Sequence, residues 1–149
     1  GGIAYADAHV VRFPVPANAA PGTQPTVRSG TQLPLAPKVK ASLGAQYDLE
    51  FDSFNFAPGL VFAYQGEQWS DLNEPAALRI PGYGTLDLTF TFSDKEDRYR
   101  LTLIGRNVMD EQFVALRTAG GPGGAPRLQI PRDADRYFGL QFRVNFGDF

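Results

Sequence analysis

The chain has 149 residues, a formal charge of −2 and no cysteine. That length suffices for one domain with a real core, and the missing thiols exclude a disulfide framework and thiolate metal sites. Basic residues (14) fall short of acidic ones (16) and are dispersed, so no cationic stripe invites nucleic acid. No apolar run approaches the roughly 18 residues of a spanning helix. No charged n-region followed by an apolar h-region opens the chain, so a signal peptide is expected to be absent or removed. Mean hydropathy is −0.23, a soluble value, but strands that cross a bilayer need apolar residues only at alternate positions.

Six segments alternate with period two, the signature of strands with one apolar and one polar face. Residues 2–12 do so weakly, with Ala4, Ala6, Ala8 and Val10 against Tyr5, Asp7 and His9. In 38–49, Val39, Ala41, Leu43, Ala45, Tyr47 and Leu49 oppose Lys40, Ser42, Gly44, Gln46 and Asp48. Phe54, Phe56, Leu60, Phe62 and Tyr64 share one face of 54–65. Leu86, Leu88, Phe90 and Phe92 share one face of 83–93, against Thr85, Asp87, Thr89 and Thr91. In 98–107, Tyr99, Leu101 and Leu103 oppose Arg98, Arg100, Thr102 and Arg106. The closing segment, 136–146, sets Phe138, Leu140, Phe142, Val144 and Phe146 against Tyr137, Gly139, Gln141, Arg143 and Asn145. No segment carries a sustained 3.6-residue stripe, so little helix is expected. Pro58 interrupts the third strand. It lacks the N–H of a central ladder, and a bulge would accommodate it.

The connections alternate in length. Long links (13–37, 66–82, 108–135) are separated by four-residue turns at 50–53 and 94–97. Short turns at one end and long loops at the other are the habit of transmembrane barrels. Strands of ten to twelve residues at roughly 3.3 Å each, tilted by about 45°, project to about 25 Å, the height of the apolar band. The expected fold is all-β: an antiparallel up-and-down meander supplying about six strands of a transmembrane β-barrel. About eight strands are the smallest that close such a barrel, so the chain is read as a single-domain part, 1–149, of a larger one. A soluble β-sandwich or small-barrel binding module, its Phe-rich faces meeting in a core, is the alternative.

Three stretches resemble the C-terminal end of a TonB-dependent outer-membrane receptor. Leu33-Pro-Leu-Ala-Pro-Lys38 and the strand reaching Gly44-Ala-Gln-Tyr47 are similar to a Pro-rich loop exit feeding a strand that ends in a border aromatic. Ile80-Pro-Gly-Tyr-Gly84, leading into Leu86-Asp-Leu88, looks like an external loop re-entering the barrel. Arg106-Asn-Val-Met-Asp-Glu111, followed by Phe113, resembles the family's Arg-Asn-Leu-Phe-Asp signature, with Val108 and Met109 replacing Leu and Phe. The resemblance implies a 22-stranded barrel around an N-terminal plug in the bacterial outer membrane. It implies import of a scarce nutrient (a ferric siderophore, haem, cobalamin or a carbohydrate) driven through the TonB complex. These residues hold no plug and no TonB-contacting box, so the partners expected are outer-membrane lipid, the rest of the barrel and plug, the TonB complex through the missing part, and a small-molecule ligand. The family usually ends on an outward-phased aromatic; Phe146 is in phase and Phe149 is not.

On that orientation the long loops are extracellular. Trp69, the only tryptophan, can stack on a planar ligand, although a place in an aromatic girdle is preferred. Arg117, Arg127 and Arg132 can attract an anionic ferric complex, or remain solvated, or bridge lipopolysaccharide phosphates. Asp87, Arg98, Arg100, Arg106 and Arg143 are expected to face the lumen, forming a plug-facing salt-bridge lattice. Leu43, Leu60, Phe62, Leu88, Phe90, Leu101, Leu103, Leu140, Phe142 and Phe146 are expected to face lipid. His9 with Asp7 makes a poor metal site, the turn at 94–97 lacks the pattern of a calcium loop, and Gly120 to Gly124 lacks the Lys-Ser/Thr ending of a phosphate loop and reads as a mobile loop tip. No cofactor is called for. Serines 29, 42, 53, 70 and 93 sit in no nucleophile elbow, so no enzyme is expected.

Overall fold

The computed structural model describes all residues except 25, 74 and 147–149. Eleven strands follow in chain order: β1 Gly2–Tyr5, β2 Val39–Gln46, β3 Leu49–Glu50, β4 Phe54–Gln65, β5 Gln68–Trp69, β6 Arg79–Ile80, β7 Tyr83–Asp94, β8 Tyr99–Arg106, β9 Leu116–Thr118, β10 Arg127–Gln129 and β11 Tyr137–Val144. Three 3-10 turns (Ala76–Leu78, Pro122–Gly124 and Arg132–Ala134) are the only helical elements among the described residues. The main sheet runs β1-β2-β4-β7-β8-β11, every pair antiparallel, with β3 beside β4. It is an open meander with β1 at one edge and β11 at the other, not closed on itself.

The register sorts the faces. Leu43 lies opposite Phe62 and Leu60 opposite Leu88; Phe90 lies opposite Leu103, and Leu103 opposite Leu140. Directly opposed residues share a face, so the apolar sets of successive strands form one continuous surface. Its side chains are open to solvent: Phe142 is 63% exposed and Leu140 67%. No second sheet covers this surface among the described residues, which removes the sandwich core required by the soluble alternative. Ring stacking within the surface clusters near the short turns, with Phe51 on Phe54 and Phe56 on Phe92, both at 4.7 Å.

Enclosure is found instead at the long-loop end. Val27, Gln32, Gln68, Leu78, Ile80, Asn107 and Ala134 are buried, and all lie in the loops or at their roots. The loops are more structured than their composition suggests. In the second, β5 pairs β6; in the third, β9 pairs β10, with Gly120 to Gly124 at the tip. They also join one another. Leu35 N–H donates to the Trp69 carbonyl at 2.8 Å, and Arg117 N–H to Ser70 Oγ at 3.1 Å.

Two expectations need correction. The first strand ends at Tyr5 rather than at residue 12. Ala6 bonds Lys38 and Ala8 bonds Leu33, so a step of two residues on one side meets five on the other. Pro34 and Pro37 in that excess lack ladder donors, and Leu35 adopts φ +55. Second, Pro58 creates no bulge. Gln46 faces Gly59 and Leu49 faces Phe56, so both strands advance equally across the gap. Tyr47 N–H still donates to the Pro58 carbonyl at 3.0 Å. A bonded antiparallel pair exchanges two hydrogen bonds, and proline cannot return the second. The strand therefore stays in register and loses one bond, which separates β2 from β3. Pro58→Ala restores the donor and is expected to stabilise the folded protein by only a few tenths of a kcal/mol, because the net value of one such bond, roughly 0.5–1.5 kcal/mol, is largely offset by losing the proline's restriction of the unfolded chain, roughly 0.4–1 kcal/mol. A slightly raised denaturant midpoint is the readout; a lowered one would show that the proline's restriction of the unfolded chain outweighs the missing bond.

Candidate ligand-binding mouth

Where the polar face meets the long loops, a cavity opens over β2, β4, β7 and β8. Lys40, Tyr83, Asp87, Arg106, Phe113 and Tyr137 are among its walls. Period two places most of them. Tyr83 is in phase with Thr85 and Asp87, and Tyr137 lies directly opposite Arg106. Phe113 arrives from the third loop and stacks on Tyr83 with centroids 4.1 Å apart and planes 8° from parallel. Arg106 donates to Asp87 at 2.5 Å. Lys40 has no carboxylate within ion-pair distance among the described residues, and Asp133 is a further wall residue, so the cavity combines aromatic rings with two cations and two carboxylates, of which Arg106 and Asp87 form a closed pair.

Asn107 fixes the third loop to this wall. It is 2% exposed and adopts φ +45, a left-handed conformation that asparagine tolerates better than most residues. Its Nδ2 donates to the carbonyls of Glu111 (3.0 Å) and Ala134 (3.1 Å), while its Oδ1 accepts the Glu111 N–H (3.1 Å). Its backbone N–H donates to Asp87 Oδ1 at 2.9 Å. One side chain thus holds the beginning and the end of the loop together, and one carboxylate ties that knot to β7. Val108 N–H reaches the Leu86 carbonyl at 2.8 Å and completes the attachment.

The sequence candidates separate into groups. Asp87, Arg100, Arg106 and Arg143 lie on the polar face; Arg143 is directly opposite Arg100, whose guanidinium is held by Asp97 at 2.7 Å. Arg98 sits in the turn after β7, bound to Asp94 (3.2 Å) and Glu96 (2.9 Å), and 6.0 Å from the Tyr99 ring centroid. Trp69, Arg117, Arg127 and Arg132 belong to the loop layer, and none of the four lines the cavity. Trp69 lies opposite Arg79 on the β5–β6 pair, while Arg117 and Arg127 occupy adjacent rungs of β9–β10 and face opposite ways. Nine of the ten apolar candidates share the other face by register and phase; Phe146 lies two residues beyond the end of β11 and is in no ladder. Phe149 lies outside the described residues. Lys40, Tyr83, Phe113 and Tyr137 were missed. For Tyr83 and Tyr137 the available signal was an aromatic at the loop end of a polar face.

The family model described as TonB dependent receptor-like, beta-barrel, matches residues 1–108. The chain belongs to that family. Its place is therefore the bacterial outer membrane, and its open meander is part of a receptor barrel. The structure is also similar to the ferric yersiniabactin uptake receptor FyuA from Yersinia pestis, with a TM-score of 0.71 and 20% identity over 83% of this chain. The chain spans 18% of the length of that receptor. No curated protein matches.

Proposed function

We propose that residues 1–149 are the C-terminal part of the barrel of a TonB-dependent importer, and that the cavity at the loop end meets its ligand. Lipid then covers the Phe-rich face, and the polar face lines a lumen occupied by the plug, which would couple to the TonB complex. The observation that carries this reading is the mouth itself: stacked Tyr83 and Phe113, Tyr137, and the Lys40 ammonium outside any ion pair, with Asp133 in the same cavity, on the polar side of the sheet. The stacked rings offer a flat face to an aromatic ligand, and the Lys40 ammonium can meet an anionic group carried on it. Among the nutrients such receptors import, a ferric siderophore is therefore the best fit, and the similar FyuA is named for one.

The test is uptake by cells whose only receptor is the full-length protein, supplied in turn with radiolabelled ferric siderophores, cobalamin and malto-oligosaccharides. Ferric uptake that disappears when the proton gradient is collapsed is expected. Uptake of cobalamin or sugar, with no ferric chelate transported, would sink the assignment.

Arg143 gives a second check. Like charges directly opposite one another destabilise a sheet by roughly 0.2–1 kcal/mol, and Arg143 has no acidic partner among the described residues. In the barrel without its plug, Arg143→Gln is expected to be neutral or mildly stabilising. In the whole receptor it should destabilise, because a plug carboxylate would lose its partner. Equal effects in both would remove the proposed plug contact.

A further inference from the structure

We propose that the outer part of the first long loop is a binding site for a phosphate ester, with Arg12 and Arg28 as its paired ligands. The loop continues past β1 as an irregular hairpin. His9 bridges Gln32, Val10 N–H donates to the Thr31 carbonyl at 2.8 Å, and Ser29 Oγ donates to the Val11 carbonyl at 2.7 Å. Gly30, at φ +88, makes the bend that brings the returning chain back at this point. Beyond it the two arms separate around a cavity with Arg12, Phe13 and Val15 on one arm and Gln24, Thr26 and Arg28 on the other.

Charge is what distinguishes this cavity. From residue 8 to residue 37 the sequence contains no Asp or Glu, although the chain as a whole is net negative. Neither arginine has a carboxylate or hydrogen-bond partner among the described residues, whereas Lys38, at the root of the same loop, is paired with Asp7 at 3.3 Å. Two guanidinium groups lining one cavity, with no carboxylate beside them, make it attractive to an anion. Their planar forks match the oxygens of a phosphate, and a dianionic monoester answers both charges where a single carboxylate answers one. Gln24 and Thr26 add neutral polar groups, and Phe13 with Val15 supplies an apolar wall for the organic part of an ester.

Location narrows the source. The proposal rests on the reading that the long loops face outward. Arg12 follows Tyr5 by seven residues, which at roughly 3.3 Å each reaches at most about 23 Å past the end of β1. A phosphorylated sugar of the outer-leaflet glycolipid and a soluble phosphate ester are both within reach, and they share the chemistry the two arginines recognise.

The experiment uses the full receptor, purified in detergent and freed of bound lipid, beside an R12Q/R28Q variant whose heat-modifiable migration confirms a folded barrel. Probes are lipopolysaccharide, the same material after phosphatase treatment, glucose 6-phosphate and inorganic phosphate. Loss of both guanidinium groups is expected to weaken binding of the phosphorylated probes by about tenfold or more, with strong salt dependence. Phosphatase treatment should cause a similar loss with the unaltered receptor. Binding led by lipopolysaccharide identifies the membrane source, and binding led by glucose 6-phosphate the soluble one. Equal affinity of the two proteins for every phosphorylated probe, or indifference to phosphatase, would overturn the proposal. Failure of the outward reading shows separately, as absence of surface labelling at a cysteine placed in this loop on intact cells, whatever the purified receptor binds.

Discussion

Asn107→Ala is expected to destabilise the attachment of the third loop by roughly 3–5 kcal/mol while leaving the barrel folded. The substitution removes the donors to the Glu111 and Ala134 carbonyls and the acceptor of the Glu111 N–H. Ala134 keeps a second donor, Gln112 Nε2 at 3.1 Å, so the uncompensated loss falls mainly on Glu111. Buried peptide groups left without partners cost about 1–3 kcal/mol each. Alanine at φ +45 adds about 1 kcal/mol of backbone strain, which glycine relieves. Asn107→Gly should therefore be milder than Asn107→Ala. Asn107→Asp should be at least as severe, because a carboxylate cannot donate to the two carbonyls and lies near Asp87. Hydrogen exchange on the receptor is the measurement. Protection should fall across 108–136 and persist in β7 and β8, and trypsin should gain access to Arg117, Arg127 and Arg132. Since Phe113 reaches the mouth through this loop, ligand uptake should fall in the same order. An unchanged proteolytic pattern would show that the loop is held elsewhere.

The strands were legible because a sheet with two different faces writes its period into neighbouring residues. The expected span of β4 matches the observed one, and those of β7, β8 and β11 match to within two residues at either end. What failed depended on contacts between distant residues. The shortening of β1 comes from Pro34 and Pro37, which lie on the opposing arm. The effect of Pro58 depends on which neighbour its nitrogen faces. That neighbour is β2, so the loss is one bond with Tyr47 and the ladder with β7 is intact. At the mouth, sequence reasoning drew on isolated charges and the single tryptophan in the loops. The cavity is instead made where strand ends and loop roots converge, from Tyr83 and Phe113, thirty residues apart in sequence and 4.1 Å apart as rings. Asn107 stood inside a motif already singled out, but its burial follows only from the return of the chain at Ala134. The short strands inside the long loops were not anticipated either. The loops also bury Ile80, Leu78 and Val27, apolar residues too scattered to show a period.

Leu103→Arg and Ile104→Arg should have opposite consequences although the two residues are adjacent on β8. Leu103 lies between Phe90 and Leu140, 42% exposed and near the middle of the apolar face. If lipid covers that face, an arginine there costs roughly 2–4 kcal/mol and should sharply reduce the heat-modifiable, folded receptor in outer membranes. Ile104 lies between Thr89 and Gly139 on the polar face. An arginine there enters a hydrated lumen with space above Gly139, and folded yield should be close to that of the unaltered protein. Phe142→Arg should be milder than Leu103→Arg. Its rung is next but one to the turn after β7, where Val144 faces Tyr99, and the arginine stem can carry its charge to the headgroups. Near the interfaces such a substitution costs about 0–1 kcal/mol. The order Leu103, Phe142, Ile104 is thus a depth-and-face signature that simple loss of apolar contacts does not produce. Contact loss alone would penalise Ile104, half-buried, as much as the more exposed Phe142. An Ile104→Arg receptor that failed to assemble beside a folded Leu103→Arg receptor would place lipid on the wrong face and reverse the orientation of every strand in the sheet.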